Sequence, residues 1–299
     1  MLDADRRTVA PHAGTRPPAV HVARMRAGPG DRTVRDVVTR HVRYLSPEQV
    51  VAVLRQSAAL GAPLDPDEPV WPGRLLEVRY VRDEPDVVVR WTLLHVDDDV
   101  LAVAKWPGYP VHPAGPYHRR TLLYALRAAG WPDVRPVHRL DLPVSGVVLF
   151  ARSRRAARTL ARALADGRVE RTYLALVCGV PAWTCRCCTQ PLGPLVGDGP
   201  LRPARTDLHV LARAERLACV VARPQTGRRH QIRRHLAQLG HPIVGDTRHG
   251  ASVPAPRVAL HGWRLVVPHP RTGRHFVVEA PVPDDLGALA RAHGLHDPP

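Results

Sequence analysis

Two segments of the chain carry residues whose types and spacing could do chemistry. The first is PVHRLDLPVSGVVLFAR, residues 136–152. Its turn-forming stretch HRLDLPVSG runs straight into an apolar strand, which places Asp141 on a loop at a sheet edge, within reach of a ligand. His138 and Arg139 stand just before it. The second is RPQTGRRHQIRRH, residues 223–235, with five arginines, two histidines and no acid. Its Thr-Gly pair marks a turn, and a helix begins just after it. A helix N-terminus with adjacent guanidiniums suits phosphate, and Arg228, Arg229, His230 and Gln231 stand at that point. His230 and His235 are five residues apart, a poor spacing for chelation from one helix face, so no metal site is expected there. HRLD resembles the His-Arg-Asp of the protein-kinase catalytic loop, but the glycine-rich phosphate loop, the Asp-Phe-Gly and the downstream Asn at kinase spacing are missing. Neither a P-loop nor a dinucleotide fingerprint is present. In isolation, an aspartate of this kind is an ordinary turn residue and a basic helix face an ordinary solvated one.

The elements that must position these residues are legible as periodicities. LLHVDDDVLAVAK reads as a hairpin around Asp97-Asp98-Asp99. HRRTLLYALRAAG reads as a helix ending at Gly130, and SGVVLFAR as a buried strand. Ser153 caps an amphipathic helix with Ala156, Leu160 and Leu164 on one face. VERTYLALVCG, TDLHVLARA, ERLACVVARP, VALHGWRLVV and GRHFVVEA read as strands. GRRHQIRRHLAQLG reads as a helix with Ile232, Leu236 and Leu239 inward, and a closing helix falls near Leu286–Ala292. Adjacent strands often lack helical crossovers, so residues 92–299 are expected to form one α+β domain: a mixed, mostly antiparallel sheet flanked by helices. Residues 1–32, polar and rich in Pro, Gly and Arg, are expected to be disordered or loosely packed. Residues 33–81 form a small module: a helix with Val34, Val37, Val38 and Val42, and a second opening at Ser46-Pro47. With the strand region after them, these helices have the outline of an α-L RNA-binding module, and a structural cap is the other reading.

Of 299 residues, 44% are hydrophobic, enough for a globular core. No run spans a bilayer and no secretion leader is visible, so a cytoplasmic monomer is the expectation. The net charge of +16 favours a polyanionic partner, since each phosphate neutralised releases a counterion. Lys105 is the one lysine, and arginine-rich composition of this kind also reflects codon bias. Cys185, Cys187 and Cys188 fit no common zinc spacing and read as a reduced, solvent-facing loop.

Taken together, five segments in order resemble the RluA-like family of RNA pseudouridine synthases over about residues 92–285. They are KWPGYPVHP; HRLD with its turn and Ser145-Gly146; RTYLALVCG; TGRRHQIRRHLAQLGHPIVGD; and ALHGWRLVVPHPRTG. The family usually has Thr before the Ser-Gly pair, whereas this chain has Val144 and so lacks that hydroxyl. The resemblance implies that Asp141 is the essential carboxylate, that Tyr173 stacks on the target base, and that Arg233 pairs with the carboxylate. His138, Arg139, Arg228, Arg229, His230 and Gln231 are then expected to bind substrate. The reaction breaks a glycosidic bond, turns the uracil and forms a carbon–carbon bond. It involves no redox change, so no cofactor and no metal are expected. The implied partner is structured RNA, with transfer RNA slightly favoured over ribosomal RNA, and the target uridine must leave its stack to react. A non-catalytic RNA-binding protein on the same fold and a metal-dependent nuclease are the competing classes.

Overall fold

The computed structural model describes residues 8–9, 20–81, 84–195, 197 and 199–295. In chain order it runs β1 (Thr8–Val9), β2 (Val20–Arg26), α1 (Val34–His41), α2 (Pro47–Ala59), β3 (Leu75–Val81), β4 (Trp91–Val96) and β5 (Val100–Lys105). It continues with α3 (Leu122–Ala128), β6 (Arg135–Pro136), β7 (Ser145–Ala151), α4 (Arg154–Ala165), β8 (Glu170–Cys178), β9 (Cys185–Cys188) and β10 (Thr206–Arg213). The last elements are β11 (Leu217–Pro224), α5 (Gln231–Gln238), β12 (Leu260–Pro268), β13 (His275–Glu279) and α6 (Asp284–Ala292). Contacts divide the chain into two units. The smaller takes His12–Asp86 with Pro113–Arg120; the larger takes Val87–His112, Thr121 onward, and the segment containing β1.

In the smaller unit α1 and α2 open on capping boxes, Thr33 with Asp36 and Ser46 with Gln49, each satisfying backbone donors that a helix start leaves free. Their apolar faces, Val34, Val38, Val50 and Leu54, pack on Leu76 and Val78 of β3. The partner of β3 is β2, antiparallel from Val20 opposite Val81 to Arg26 opposite Leu75. The helices therefore lie between the paired strands in sequence, rather than before a strand pair. This also corrects the expectation for residues 1–32 where they are described. Thr8–Val9 pairs with Trp91 and Thr92, and Met25 and Ala27 are buried. VHVARMR turns His21, Ala23 and Met25 inward and leaves Val20 and Val22 exposed, so its apolar residues do not mark one face, which conceals the strand. Residues 1–7 and 10–19 lie outside the described part of the chain. Pro113–Arg120 joins this unit through Glu84, whose carboxylate accepts from the backbone N–H groups of His118, Arg119 and Arg120 at 2.9, 2.9 and 2.8 Å.

The larger unit is an eleven-stranded mixed sheet in the order β1-β4-β5-β7-β12-β8-β11-β10-β9, with β6 on β7 and β13 on β12. Every pairing is antiparallel except β7 with β12. The strand predicted at SGVVLFAR is buried along its whole length. Its side chains alternate between two cores. Val148 and Phe150 share one core with residues of α3, α5 and α6, while Val147 and Leu149 share the other with Ala156, Leu160 and Ala163 of α4. Helices thus cover the sheet, and the α+β class expected from the strand and helix periods holds. The cysteine segment departs from expectation. Cys185–Cys188 is an edge strand registered on Thr206–His209, with Cys188 buried. An edge strand of Cys and Arg has no apolar alternation to announce it.

β7 and β12 meet parallel at one point, Ser145 beside His261 and Gly146 beside Gly262. Gly146 has φ +127, and a Cβ there would stand 2.2 Å from the Gly262 carbonyl oxygen, so only glycine fits both the conformation and the approach. His261, 2% exposed, secures the same junction. Its Nδ1 accepts from the Ser145 hydroxyl at 2.9 Å and its Nε2 donates to the Ala280 carbonyl at 3.2 Å.

Candidate active site

The turn between β6 and β7 presents Asp141 beside this junction. The turn closes with the Val144 N–H donating to the Asp141 carbonyl at 3.0 Å. Lys105, at the end of β5 and 1% exposed, holds the turn from beneath. Its ammonium donates to the carbonyls of Trp106, Leu142 and Val144 at 2.9, 3.2 and 2.8 Å. Burial, with help from Arg257, pulls the Lys105 pKa down to about 7, against the pull of Asp141. Sequence reading placed Lys105 in a motif but gave it no role, because the carbonyls of Leu142 and Val144, 37 and 39 residues away, leave no local signature.

Asp141 faces α5. Arg233, in the first turn of that helix, is 5% exposed and grips the buried carboxylate of Asp246 with two bonds, Nε at 2.7 Å and Nη2 at 2.8 Å. Its remaining nitrogen, Nη1, reaches Asp141 Oδ2 at 3.3 Å. Burial works against the guanidinium's charge, but the two carboxylates more than offset it and raise its pKa. The expected pairing of Arg233 with Asp141 is present in the geometry; Asp246, its stronger partner, was not singled out. The Gly-Asp at the end of the GHPIVGD segment was the available signal.

His230 precedes α5 in the left-handed region, φ 54, unusual for a residue with a side chain. Its Nε2 lies 3.2 Å from Arg233 Nη1, which donates to it, and its Nδ1 lies 3.0 Å from His249 Nε2. Since Nε2 accepts, Nδ1 carries the proton. Burial pushes the His230 pKa down to about 4, with Asp141 opposing and Arg233 assisting, so the ring is neutral at pH 7. Its 3.8 Å approach to Asp141 Oδ2 is therefore not an ion pair.

An open cleft of about 400 Å³ brings together all the residues singled out from the sequence: Asp141, Tyr173 and Arg233, with His138, Arg139, Arg228, Arg229, His230 and Gln231. Tyr173 lies on β8 opposite Gly262 of β12, where a Cβ would stand in ordinary van der Waals contact with the ring carbon Cε1, at 3.5 Å. Burial raises the phenol's pKa, so it stays protonated. The side chain of Gln231 is already engaged. It accepts from the Thr226 hydroxyl and the Arg228 N–H, and donates to Arg205 O and Thr206 Oγ1. It shapes the loop that carries Arg228. The helix accordingly starts at Gln231, not directly after Thr226-Gly227. Arg139 and Arg229 are exposed at the cleft, with no ion pair drawn among the described residues. Burial holds the His138 pKa at about 4, with Arg171 assisting, and its Nε2 accepts from the Leu149 N–H at 3.2 Å. Arg171, two residues before Tyr173, also lines the cleft and ties β8 to the loop through Pro224 O and Thr226 O. It was visible in the sequence only as the basic residue of RTYLALVCG. His235, far from ligating anything, is fully buried between Thr206 and Gln190. Among the described residues no group of three metal-binding side chains is placed to hold an ion.

This sheet, cleft and carboxylate match one class of protein. The family described as RNA pseudouridylate synthase matches residues 99–238. The solved human RNA Pseudouridylate Synthase Domain Containing 1 superposes with a TM-score of 0.58 at 26% identity, covering 73% of this chain and 100% of that one. Among curated proteins, Ribosomal large subunit pseudouridine synthase D of Nitrosomonas europaea is 33% identical over 252 residues, 75% of this chain and 72% of the relative. Dual-specificity RNA pseudouridine synthase RluA of Escherichia coli is 32% identical over 204 residues, 63% of this chain and 92% of the relative. The chain belongs to the RluA-like family of RNA pseudouridine synthases, and it is an isomerase that makes pseudouridine in RNA. No helix among the described residues is long and apolar enough to cross a membrane.

Proposed function

We propose that the protein converts specific uridines of structured RNA to pseudouridine with Asp141 as the catalytic carboxylate. The target base is flipped out of its stack and held against Tyr173. The observation that carries this reading is the Arg233 guanidinium, anchored on Asp246 and extended to Asp141 at 3.3 Å in the cleft. A carboxylate enclosed by bound RNA would otherwise take up a proton, and a fixed cation opposes that. Either role for Asp141, attack on the ribose or removal of a proton, needs its anionic oxygen. Arg139 and Arg229, exposed at the cleft, suit the phosphates flanking the flipped nucleotide. The chemistry transfers no electrons and needs no cofactor.

Transfer RNA is the favoured substrate, on the similarity of GRRHQIRRH, GHPIVGDTRHG and PVHPAGPYHRRTLLYAL to members that act on it. Large ribosomal RNA is the second reading, favoured by the name of the Nitrosomonas relative. The small unit adds RNA affinity rather than chemistry in this scheme. Mapping pseudouridines in a deletion strain decides between the substrates. The catalytic assignment is tested by single-turnover conversion of the deletion strain's RNA by Asp141→Asn. That variant should fold, bind RNA at least as well as wild type and form no detectable product. Conversion within about tenfold of wild type, a barrier change of only about 1.4 kcal/mol, would remove Asp141 from the mechanism.

A further inference from the structure

Helix α4 carries an arginine row that nothing in the catalytic site uses. Its sequence, RRAARTLARALA, contains no acid. Ala156, Leu160 and Ala163 are buried against the sheet, and Arg154, Arg155, Arg158 and Arg162 are exposed. Arg154, Arg158 and Arg162 recur every four residues, so they line one side of the helix over about 12 Å. Arg155 reaches Asp99 at 3.5 Å, and the acid just past the helix, Asp166, is taken by Arg168 at 3.2 Å. No ion pair is drawn to Arg154, Arg158 or Arg162 among the described residues.

This arrangement costs the folded protein stability on two counts. Like charges four residues apart on a helix repel. The first turn, where the helix dipole favours acids, instead holds Arg154 and Arg155 and has no acid at all. A row of exposed arginines with no acid on its helix is complementary in charge to a polyanion. The helix also points to the right place. Leu164, in its last turn, lines the catalytic cleft together with Arg139 and Arg171.

We infer that the exposed face of α4 binds the sugar-phosphate backbone of the substrate RNA, outside the target nucleotide, with Arg154, Arg158 and Arg162 each meeting a phosphate. This rests on RNA being the substrate of the cleft at the end of the helix. The face extends the RNA track away from Asp141 and contributes affinity without touching the reacting base.

The test replaces the three residues together, Arg154→Gln, Arg158→Gln and Arg162→Gln, in the full chain. The probe is an unmodified RNA stem–loop with uridines in the loop, titrated at several salt concentrations. One counterion-releasing contact per arginine predicts that the slope of log affinity against log salt falls by about 3. Affinity near physiological salt should fall by roughly tenfold or more. The thermal midpoint should hold or rise, because the repulsion is gone; a purely structural role would lower it. The Arg→Lys triple variant should recover most of the slope, since a phosphate contact of this kind needs charge rather than a fork. An unchanged slope in the Gln variant overturns the inference and leaves the row a solvated surface. A slope lost equally in the Lys variant also overturns it. Single-turnover conversion at saturating RNA should match wild type. A wild-type enzyme that converts no RNA would sink the assignment of the cleft, whereas the change in salt slope would still report on the arginine face.

Discussion

Arg233 holds two carboxylates of different standing. Asp246 is 1% exposed and doubly bonded to it, whereas Asp141 opens on the cleft with a single long bond. Arg233→Ala therefore strips Asp246 of its one ion-pair partner among the described residues, and removing one member of a buried pair costs about 3–5 kcal/mol. Urea unfolding should show a loss of that order, with pseudouridine formation lost as well. Arg233→Lys should separate the effects. An ammonium can satisfy part of Asp246 but cannot bridge to Asp141, since it lacks the planar fork. More of the stability should return than of the activity. Equal recovery of both would mean that the bridge to Asp141 has no catalytic weight. Lys105 acts through the backbone. Lys105→Met removes three carbonyl contacts beneath the Asp141 turn, so single-turnover rate should fall while the salt dependence of RNA binding stays constant. A variant with wild-type rate would show that the turn holds its shape unaided.

At the scale of elements, the site depends on how closely β7 and β12 approach. Gly146→Ala forces a side chain into a left-handed φ and against the Gly262 backbone at 2.2 Å, so it should fail to fold or lose several kcal/mol. Gly262→Ala meets Leu140 and Tyr173 only at 3.4 and 3.5 Å, ordinary van der Waals contact, and should be accommodated. Its thermal midpoint and its conversion should both stay near wild type. The reverse pattern in the two alanines would refute this account of the junction. Elements with a strong period were legible in the sequence: the hairpin around Asp97-Asp98-Asp99, the wholly buried β7, and α4 with its Ser153 cap. β2 and β9 were not, because β2 leaves Val20 and Val22 exposed while burying Met25, and β9 consists of cysteine and arginine. At the site, Asp141 and Arg233 could be named from motifs, but the bond between them spans 92 residues and exists only through the fold. Lys105 and Asp246 act by the same kind of distant closure. The edge strand β9 is registered beside Asp207 and His209 and lies outside every catalytic motif. Cys185→Ser with Cys187→Ser should keep full activity, and purified protein should carry no stoichiometric zinc. One bound zinc whose removal abolished conversion would contradict this.

The molecule as a whole buries histidines as neutral rings, and that sets its response to acid. His261 at the β7–β12 junction and His138 beside the Asp141 turn both have pKa values pushed from 6.5 down to about 4, chiefly by burial. Between these limits the unfolded chain binds a proton at each ring and the folded chain does not. The histidine contribution to stability must therefore fall as pH drops from about 6.5 towards 4, and must level off above 6.5, where these rings are unprotonated in both states. With His230, whose pKa burial also takes down to about 4, three protons correspond to a limiting slope of roughly 4 kcal/mol per pH unit. Carboxylates add little within this window where they are held low. Burial opposes the charge of Asp97, but His95, His269 and the amides of Asp99 and Val100 keep its pKa at about 2, so its contribution is lost only in stronger acid. His261 must be neutral for a structural reason: Nδ1 accepts from Ser145 while Nε2 donates to Ala280, and a second proton would break the first bond. Protonation there loosens the strand junction that places Gly146 and Gly262 beneath the cleft, so activity and stability should decline together. Urea midpoints measured from pH 7 to pH 4.5 give the slope directly. His261→Asn should be less stable at pH 7 yet show a shallower acid slope by about one proton. A wild-type midpoint that stays constant from pH 6.5 to 4.5 would mean that these rings accept protons without unfolding, and the junction would then not be held by a neutral imidazole.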